Sequence, residues 1–343
     1  MNRVSVIVAH LLLTGCGWIG LGWGAVTFPT TATGEPANVV ADGGFAYASR
    51  GADGIEIIDL AAPAWRRVVA PAQGTTADDL AIADGLLFVL DARPPGHLTV
   101  FSLENPELPV LVQAPVMVDV GPFSGVSAAN GLVAVSGGTS LFSLRRYASD
   151  GRVSAESATT DLGRGQPDVL LSADGRHAFV STHDDGPFFS LSVLGLDRDP
   201  LAITKLASLP LATYGFTPGG ARPANFPIEM AIAGRSLLVA SAAGLQVFDV
   251  SDPARPLPGA TLQAHALPVN VDAAAGIAAV VGSDPDPELT LVDLADPSSP
   301  KLLRSIRLPE GSHATGVVIA GRQAVVAAHA AGTLVFNLDD LTP

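Results

Sequence analysis

The sequence predicts an all-β fold, a seven-bladed β-propeller of four-stranded antiparallel blades, from three observations. The first is composition: the 343 residues are 48% hydrophobic and 15% charged, with 36 glycines and 27 prolines. This suits many short strands joined by tight turns. The second is a small-residue turn that recurs seven times, mostly about 40 to 45 residues apart. The third is the order of apolar strands around each turn, which describes one blade per repeat.

The recurring turns mark the hairpin between the first and second strands of each blade. Asp-Gly and Asn-Gly between apolar strands favour hairpins, because these residues tolerate positive φ. The turns are Asp42-Gly43-Gly44, Asp84-Gly85, Asn130-Gly131, Asp174-Gly175, Ala233-Gly234, Ala275-Gly276 and Ala320-Gly321. The third strands follow at 54–60, 98–103, 141–144, 189–194, 245–250, 289–294 and 334–338. The last repeat has no outer strand after its third, so we expect residues 26–33 to complete it and close the ring.

The first 25 residues are typical of an export signal, and we place the propeller domain at residues 26–343. A short cationic end precedes an apolar run, and residues 13–16 (LTGC) are similar to a bacterial lipobox. Lipidation of Cys16, the chain's only cysteine, is one interpretation. Cleavage after Gly24 and retention of residues 4–26 as an anchor helix are the others. Each predicts an extracytoplasmic domain, in the periplasm or at the cell surface. The lipidated and anchored forms would meet a membrane only through the N-terminus, and the cleaved form would be secreted.

The charge excludes one class of partner. Nineteen basic and 33 acidic residues give a formal net charge of −14, which repels a phosphate backbone and argues against nucleic acid.

The chain also lacks a Gly-x-Ser-x-Gly nucleophile elbow, a His-Glu-x-x-His zinc motif and a Walker loop. We therefore expect a monomeric binding module for a protein, glycan or small-molecule ligand.

A sequence pattern within the repeats resembles a known family. Gly-x-x-x-[Ile/Val]-Asp-[Leu/Val], followed by Ser/Ala-Asp-Pro-x-x-Pro at 251–256 and 295–300, is similar to the LVIVD-repeat propellers. Those are exported bacterial proteins with some likeness to YVTN-type propellers. The resemblance covers about residues 37–340, and repeats 1, 2, 5 and 6 are the better matches. It implies the fold and export, and no particular activity.

A ring of polar residues is predicted at one end of the central channel. We call the top face the side that carries the loops leading into the first strands and the loops between second and third strands. Aligning the repeats places seven residues at the channel mouth: Asn38, Asp79, Gly125, Asp168, Glu229, Asn270 and Gly316. Carboxylate and amide oxygens bind hard cations, so Asp79, Asp168, Glu229 and Asn270 are candidate ligands of Ca²⁺ or Mg²⁺. Alternatively, these side chains accept backbone N–H groups within the fold.

Further candidate ligand-binding residues lie in the top-face loops. The segment 211–227 stretches the repeat period and carries Tyr214, Phe216 and Arg222, and two other loops carry His265 and His313. The predicted function is therefore binding through an acidic top face. The rival is a divalent-cation-dependent hydrolase, similar by fold analogy to metal-dependent lactonase propellers. It would hold its metal at the channel mouth and use His313 or His265 as general base.

Overall fold

A computed structural model describes residues 26–27, 37–118, 125–137, 141–162, 168–183, 189–211, 229–241, 244–263, 268–274, 276–282 and 286–340. Seven antiparallel sheets follow one another along the chain, one per repeat, which confirms the seven-bladed propeller. In blades 1 to 6 each sheet runs in chain order from an inner first strand to an outer strand, whereas in blade 7 the strand paired outside β29 is β1. Within these ranges, no helix is long and apolar enough to cross a bilayer.

The strands are numbered in chain order. A short N-terminal strand and blades 1 to 3 contain β1 (Val26–Thr27), β2 (Val39–Asp42), β3 (Phe45–Ser49), β4 (Ile55–Asp59), β5 (Arg66–Val69), β6 (Asp79–Ala83), β7 (Leu86–Asp91), β8 (His97–Ser102), β9 (Val110–Leu111), β10 (Val116–Met117), β11 (Gly125–Ala129), β12 (Leu132–Ser136), β13 (Leu141–Tyr147) and β14 (Val153–Asp161).

Blades 4 to 7 contain β15 (Val169–Leu171), β16 (His177–His183), β17 (Phe189–Arg198), β18 (Leu201–Pro210), β19 (Glu229–Ala233), β20 (Ser236–Ser241), β21 (Gly244–Asp249), β22 (Leu257–Leu262), β23 (Pro268–Ala274), β24 (Ile277–Gly282), β25 (Glu288–Asp293), β26 (Lys301–Arg307), β27 (Gly316–Ala320), β28 (Gln323–Ala327) and β29 (Thr333–Asn337). Two short 3₁₀ turns, His329–Ala331 and Leu338–Asp340, flank β29.

The hydrophobic core is divided among the gaps between blades. Second and third strands are buried on both faces, as in β7, where all six residues are buried. Their side chains form seven apolar clusters, and each cluster joins two neighbouring blades. In the cluster between blades 2 and 3, the rings of Phe88 and Tyr147 lie 4.9 Å apart. Each sheet therefore buries its apolar side chains against its two neighbours.

The predicted hairpin turns are present, and one outer strand departs from the pattern. Asp84 and Asn130 have φ values of 53° and 47°, as their turns require. In blade 2 the outer strand is split, because β9 and β10 both pair with β8. Pro115 lies between the two segments and has no N–H to donate to a ladder.

Blades 1 and 7 meet and close the ring. Their apolar cluster joins Val39, Ala46 and Ile58 of blade 1 to Val325 and Val335 of blade 7. The strand β1 also pairs with β29 of blade 7, with Val26 opposite Val335. Residues 28–36 lie outside the described ranges, so closure by the whole 26–33 segment stays a prediction.

A buried ion cluster crosses the same boundary. Glu56 is fully buried and contacts Arg50 at 3.2 Å and Arg66 at 3.0 Å. It also accepts a 2.8 Å hydrogen bond from the Thr333 hydroxyl of blade 7, and Arg66 donates to the Thr333 carbonyl. One carboxylate therefore neutralises charge in blade 1 and holds the last blade to the first.

We expect Glu56→Gln to lower the free energy of unfolding by about 3–5 kcal/mol, because two buried guanidinium groups lose their anion. Urea unfolding followed by circular dichroism measures this change. The exposed Glu104 supplies the matched control, and Glu104→Gln should change stability by less than about 0.5 kcal/mol. Equal stability of the two variants would contradict the role given to Glu56.

Candidate functional site

The polar ring lies at the top end of the central channel. Among the residues that line this channel, of about 720 Å³, are Asn38, Asp79, Asp168, Glu229 and Asn270. Asp79 and Glu229 are the first residues of their strands, and Asp168 immediately precedes β15. The five polar residues that the sequence assigned to the channel mouth therefore all line the channel.

Serines at the ends of second strands fix the start of several first strands. The hydroxyl of Ser49 accepts a hydrogen bond from the backbone N–H of Asn38 at 2.9 Å. The Ser181 hydroxyl does the same for Asp168 at 3.1 Å. Each of these ring residues is thus held in its backbone position by its own blade.

The ring side chains also tie one blade to the next. Asp79 accepts hydrogen bonds from the backbone N–H of Leu80 at 2.9 Å and of Val126, in blade 3, at 2.8 Å. The Asn38 side chain of blade 1 donates to Asp79 as well. Two further ring residues make the same kind of contact: Asp168 accepts from the backbone of Met230, and Asn270 accepts from Val317 at 3.1 Å. These bonds agree with the structural alternative drawn from the sequence.

Glu229 is the exception among the ring carboxylates. Its carboxylate accepts no hydrogen bond from the described residues, whereas Asp79 and Asp168 each accept two or more. The side chain is half-buried, so solvent in the channel reaches it. Within the part of the chain that the structure describes, Glu229 is therefore the ring carboxylate that accepts no hydrogen bond.

Burial and mutual repulsion keep these carboxyl groups weakly acidic. Burial raises the pKa of Asp79 to about 6, although hydrogen bonds from Val126, Leu80 and Asn38 oppose the rise. Burial and then the charge of Asp79 raise the pKa of Asp168 well above its ordinary value. Burial, then the charges of Asp168 and Asp79, do the same for Glu229. No cationic side chain of the described residues contributes to these shifts, so no neighbouring positive charge offsets the repulsion between these carboxyl groups when they ionise.

Asp91, also on the top face, shows the opposite behaviour. Burial alone would raise its pKa, but hydrogen bonds from Arg93 and Thr76 lower it. The Arg93 guanidinium makes two contacts of 2.9 Å with this carboxylate. The acidic top face therefore contains neutralised carboxylates at blade 2 and unneutralised ones at the channel mouth.

Two ring positions carry no side chain. A Cβ added at Gly125 would lie 3.3 Å from a carboxylate oxygen of Asp168. One added at Gly316 would lie 3.1 Å from the Asn38 backbone. Close approach of the neighbouring blade accounts for glycine at both places. Because these two positions have no side chain, only part of the ring's circumference is polar.

One acidic residue of the channel was missed by the sequence analysis. Asp272 lies two residues beyond Asn270 on β23, so its side chain is on the same face of the strand, one level deeper. It accepts a 2.7 Å hydrogen bond from the backbone of Ile319 in blade 7, and burial raises its pKa. Aligning the repeats two residues past the ring would have found it, since the equivalent residues are Val40, Ala81, Ser127, Leu170, Ala231 and Val318.

The remaining predicted site residues divide into two groups. Cys16, Tyr214, Phe216, Arg222 and His265 lie outside the described residues. His313 lies exposed on the top face of blade 7. In the ranges that the structure covers, no three His, Cys, Asp or Glu side chains form a group that could hold a metal ion. The Ca²⁺ or Mg²⁺ site at the mouth stays a prediction.

The raised pKa of Glu229 predicts a pH-dependent cost in stability. The folded state holds this proton more tightly than the unfolded state, where the pKa is near 4.5. The stabilisation that comes from this more tightly held proton is therefore fully present below pH 4.5, and it is lost as the pH rises through the folded-state pKa. We expect Glu229→Gln to raise the free energy of unfolding at pH 7 and to have no effect at pH 4, because glutamine has no proton to lose.

Urea unfolding of both proteins at a series of pH values measures this difference. The exposed Glu107 provides the control, and Glu107→Gln should leave the pH profile of the parent unchanged. A Glu229→Gln profile parallel to that of the parent would show that the carboxyl group titrates normally.

Comparison with solved structures confirms the architecture. Three solved structures give TM-scores of 0.61 to 0.63 against this chain. One is the β-propeller domain of Cps50 (Swd1) from Myceliophteria thermophila. For Swd1 the TM-score is 0.63 at 16% identity, covering 90% of this chain and 99% of that one. An inactive virginiamycin B lyase from Staphylococcus aureus, solved with quinupristin, gives 0.61 at 13% identity, covering 91% and 97%. A chain of the mitotic checkpoint complex gives 0.61 at 9% identity, covering 95% and 99%. At these identities the likeness establishes the fold alone.

Comparison with sequence families identifies the repeat. No curated protein matches the chain significantly. The family model for the LVIVD repeat matches residues 229–257 and 283–307, in blades 5 and 6. These are two of the four repeats in which the sequence pattern is clearest. The chain is therefore a seven-bladed β-propeller that carries LVIVD repeats.

Proposed function

We propose that this protein is an exported binding module, tethered to a membrane through its N-terminus, that receives its ligand at the acidic mouth of the central channel. The ligand is a protein, glycan or small molecule that presents a cationic or hydrogen-bond-donating group. The Glu229 carboxylate is the observation that carries this proposal. It accepts no hydrogen bond from the described residues, it lines the channel, and it lies in the field of Asp79 and Asp168.

Electrostatics supports a cationic group at this place. Three carboxyl groups with raised pKa values repel one another when ionised, and a bound cation relieves that repulsion. Their shared field, when they are ionised, also favours a positive charge at the mouth.

The channel wall below the mouth suits the rest of a small ligand. Its next level is mostly apolar, with Val40, Ala81, Leu170 and Val318 among its residues. A volume of about 720 Å³ is within the range of small-molecule sites, which are roughly 300–1,000 Å³. An elongated molecule with a positively charged end would place that end against Glu229 and its apolar part along this wall.

The rival function, a divalent-cation-dependent hydrolase, needs the same carboxylates as metal ligands. Carboxylates with perturbed pKa values are common in catalytic sites, which favours this function. Against it, Asp79 and Asp168 already accept backbone hydrogen bonds from Val126 and Met230 of the next blades, which hold neighbouring blades together. A metal ion would have to compete with those bonds, whereas an ammonium group needs only Glu229.

Metal analysis separates the two functions. We expect the purified domain, residues 25–343, to carry no stoichiometric Ca²⁺ or Mg²⁺, and chelation of these two ions should leave its melting temperature unchanged. Elemental mass spectrometry and thermal unfolding measure both quantities. About one equivalent of Ca²⁺ or Mg²⁺, with lower stability after chelation, would instead support the hydrolase and justify a screen of lactone and phosphoester substrates.

The same thermal assay tests the binding module with organic amines of increasing chain length as probes. A bound amine at a hundred times its Kd should add about 2.7 kcal/mol of stability. Glu229→Gln should remove this stabilisation, while the control Glu107→Gln keeps it. Equal stabilisation of both variants would place the amine elsewhere.

The tether is tested separately. We expect mass spectrometry of the mature protein from a membrane fraction to find acyl groups on an N-terminal Cys16. An N-terminus at Ala25 would indicate cleavage and secretion. An intact Met1 would contradict both cleavage interpretations.

A further inference from the structure

We propose that His313 and His329 form a second site on the top face, at blade 7, for a divalent transition-metal ion of the zinc type. The centroids of the two imidazole rings lie 6.3 Å apart, in an edge-to-face arrangement. Imidazole nitrogen is a preferred ligand of Zn²⁺, Cu²⁺ and Ni²⁺, in contrast to the carboxylates of the channel mouth, which suit hard cations. This inference is independent of the proposed function.

The backbone of both loops is fixed by hydrogen bonds. His313 lies in the loop that leads into β27, and the N–H of Thr315 in that loop donates to the Ala327 carbonyl at 3.0 Å. The Thr315 hydroxyl also donates to the Ala37 carbonyl of blade 1 at 2.7 Å. His329 lies between β28 and β29, where Ala328 donates to the Gly332 carbonyl at 3.0 Å. The two imidazoles are therefore presented from ordered loops at the same end of one blade.

The backbone of His329 has an uncommon conformation. Its φ is 44°, and among the described residues only Asp84 and Asn130 share a positive φ without being glycine. Those two occupy Asp-Gly and Asn-Gly hairpin turns, which explains them. His329 is followed by two alanines and is not part of such a turn. Backbone strain of this kind concentrates at functional sites.

The separation of the rings fits a shared ion. A metal–nitrogen distance of about 2.0–2.1 Å places the centroids of two ligating imidazoles roughly 5–6.5 Å apart, depending on the angle at the metal. The observed separation is at the wide end of that range. A tetrahedral ion requires a separation of roughly 5 Å, which the exposed His313 side chain would have to reach by a change of rotamer.

The site would leave coordination positions open. In the described ranges, no third His, Cys, Asp or Glu side chain makes the pair into a larger metal-binding group. An ion held by two imidazoles completes its shell with water or with donor groups of a bound molecule. The formal net charge of −14 favours accumulation of cations at the surface.

The test is calorimetric titration of the tag-free protein, residues 25–343, with ZnCl₂ in a chelator-free buffer. We expect one equivalent to bind with micromolar affinity and to resist displacement by excess Ca²⁺, which imidazole binds poorly. His313→Gln and His329→Asn should each weaken binding by about tenfold or more, and the double variant should bind no zinc. Asparagine is chosen at position 329 because it tolerates positive φ.

The matched control is His177→Gln, since His177 starts a second strand and so lies at the opposite face. It should bind zinc like the parent, and circular dichroism should show all variants folded. Zinc binding that persists in the folded double variant, or a parent protein that binds none, would overturn the proposal.

Discussion

Burial of apolar side chains between neighbouring blades is the interaction on which the rest of this structure depends. Each of the seven clusters takes residues from two sheets, so a single blade has no complete core of its own. The arrangement is stable only as a closed ring, because an open end would expose one face of a sheet to water. The junction of blades 1 and 7 accordingly has an apolar cluster and also the buried Glu56 contacts.

The channel mouth is a consequence of the same constraint. First strands converge around the axis, and their initial N–H groups need acceptors that a neighbouring strand cannot supply at that distance. Asp79, Asp168 and Asn270 supply them across the gaps between blades. The negative charge at the mouth is therefore partly a by-product of satisfying backbone donors. Glu229 has no such bond to the described residues, so the need to satisfy backbone donors there does not explain its carboxylate.

The sequence was informative where local chemistry decides the structure. The turns at Asp84-Gly85 and Asn130-Gly131 were predictable because few residues accept positive φ, and the ring at the mouth followed from the register of the repeats. The split outer strand of blade 2 was missed, although Pro115 signals it. Asp272 was missed because only one level of the channel was aligned. The proximity of His313 and His329 could not be read from spacing, because it depends on how two loops fold over one blade.

The two glycines of the ring have a consequence for recognition. A propeller with seven similar blades has near-rotational symmetry about its axis, so a uniform ring would offer a bound molecule seven equivalent poses. Gly125 and Gly316 interrupt that ring, and the carboxylates fall on blades 2, 4 and 5 only. The electrostatic potential at the mouth is therefore uneven around the axis, and the charged end of the proposed ligand would have one favoured orientation about that axis. The seven blades are therefore similar in fold but not equivalent in the charge that they present at the channel mouth.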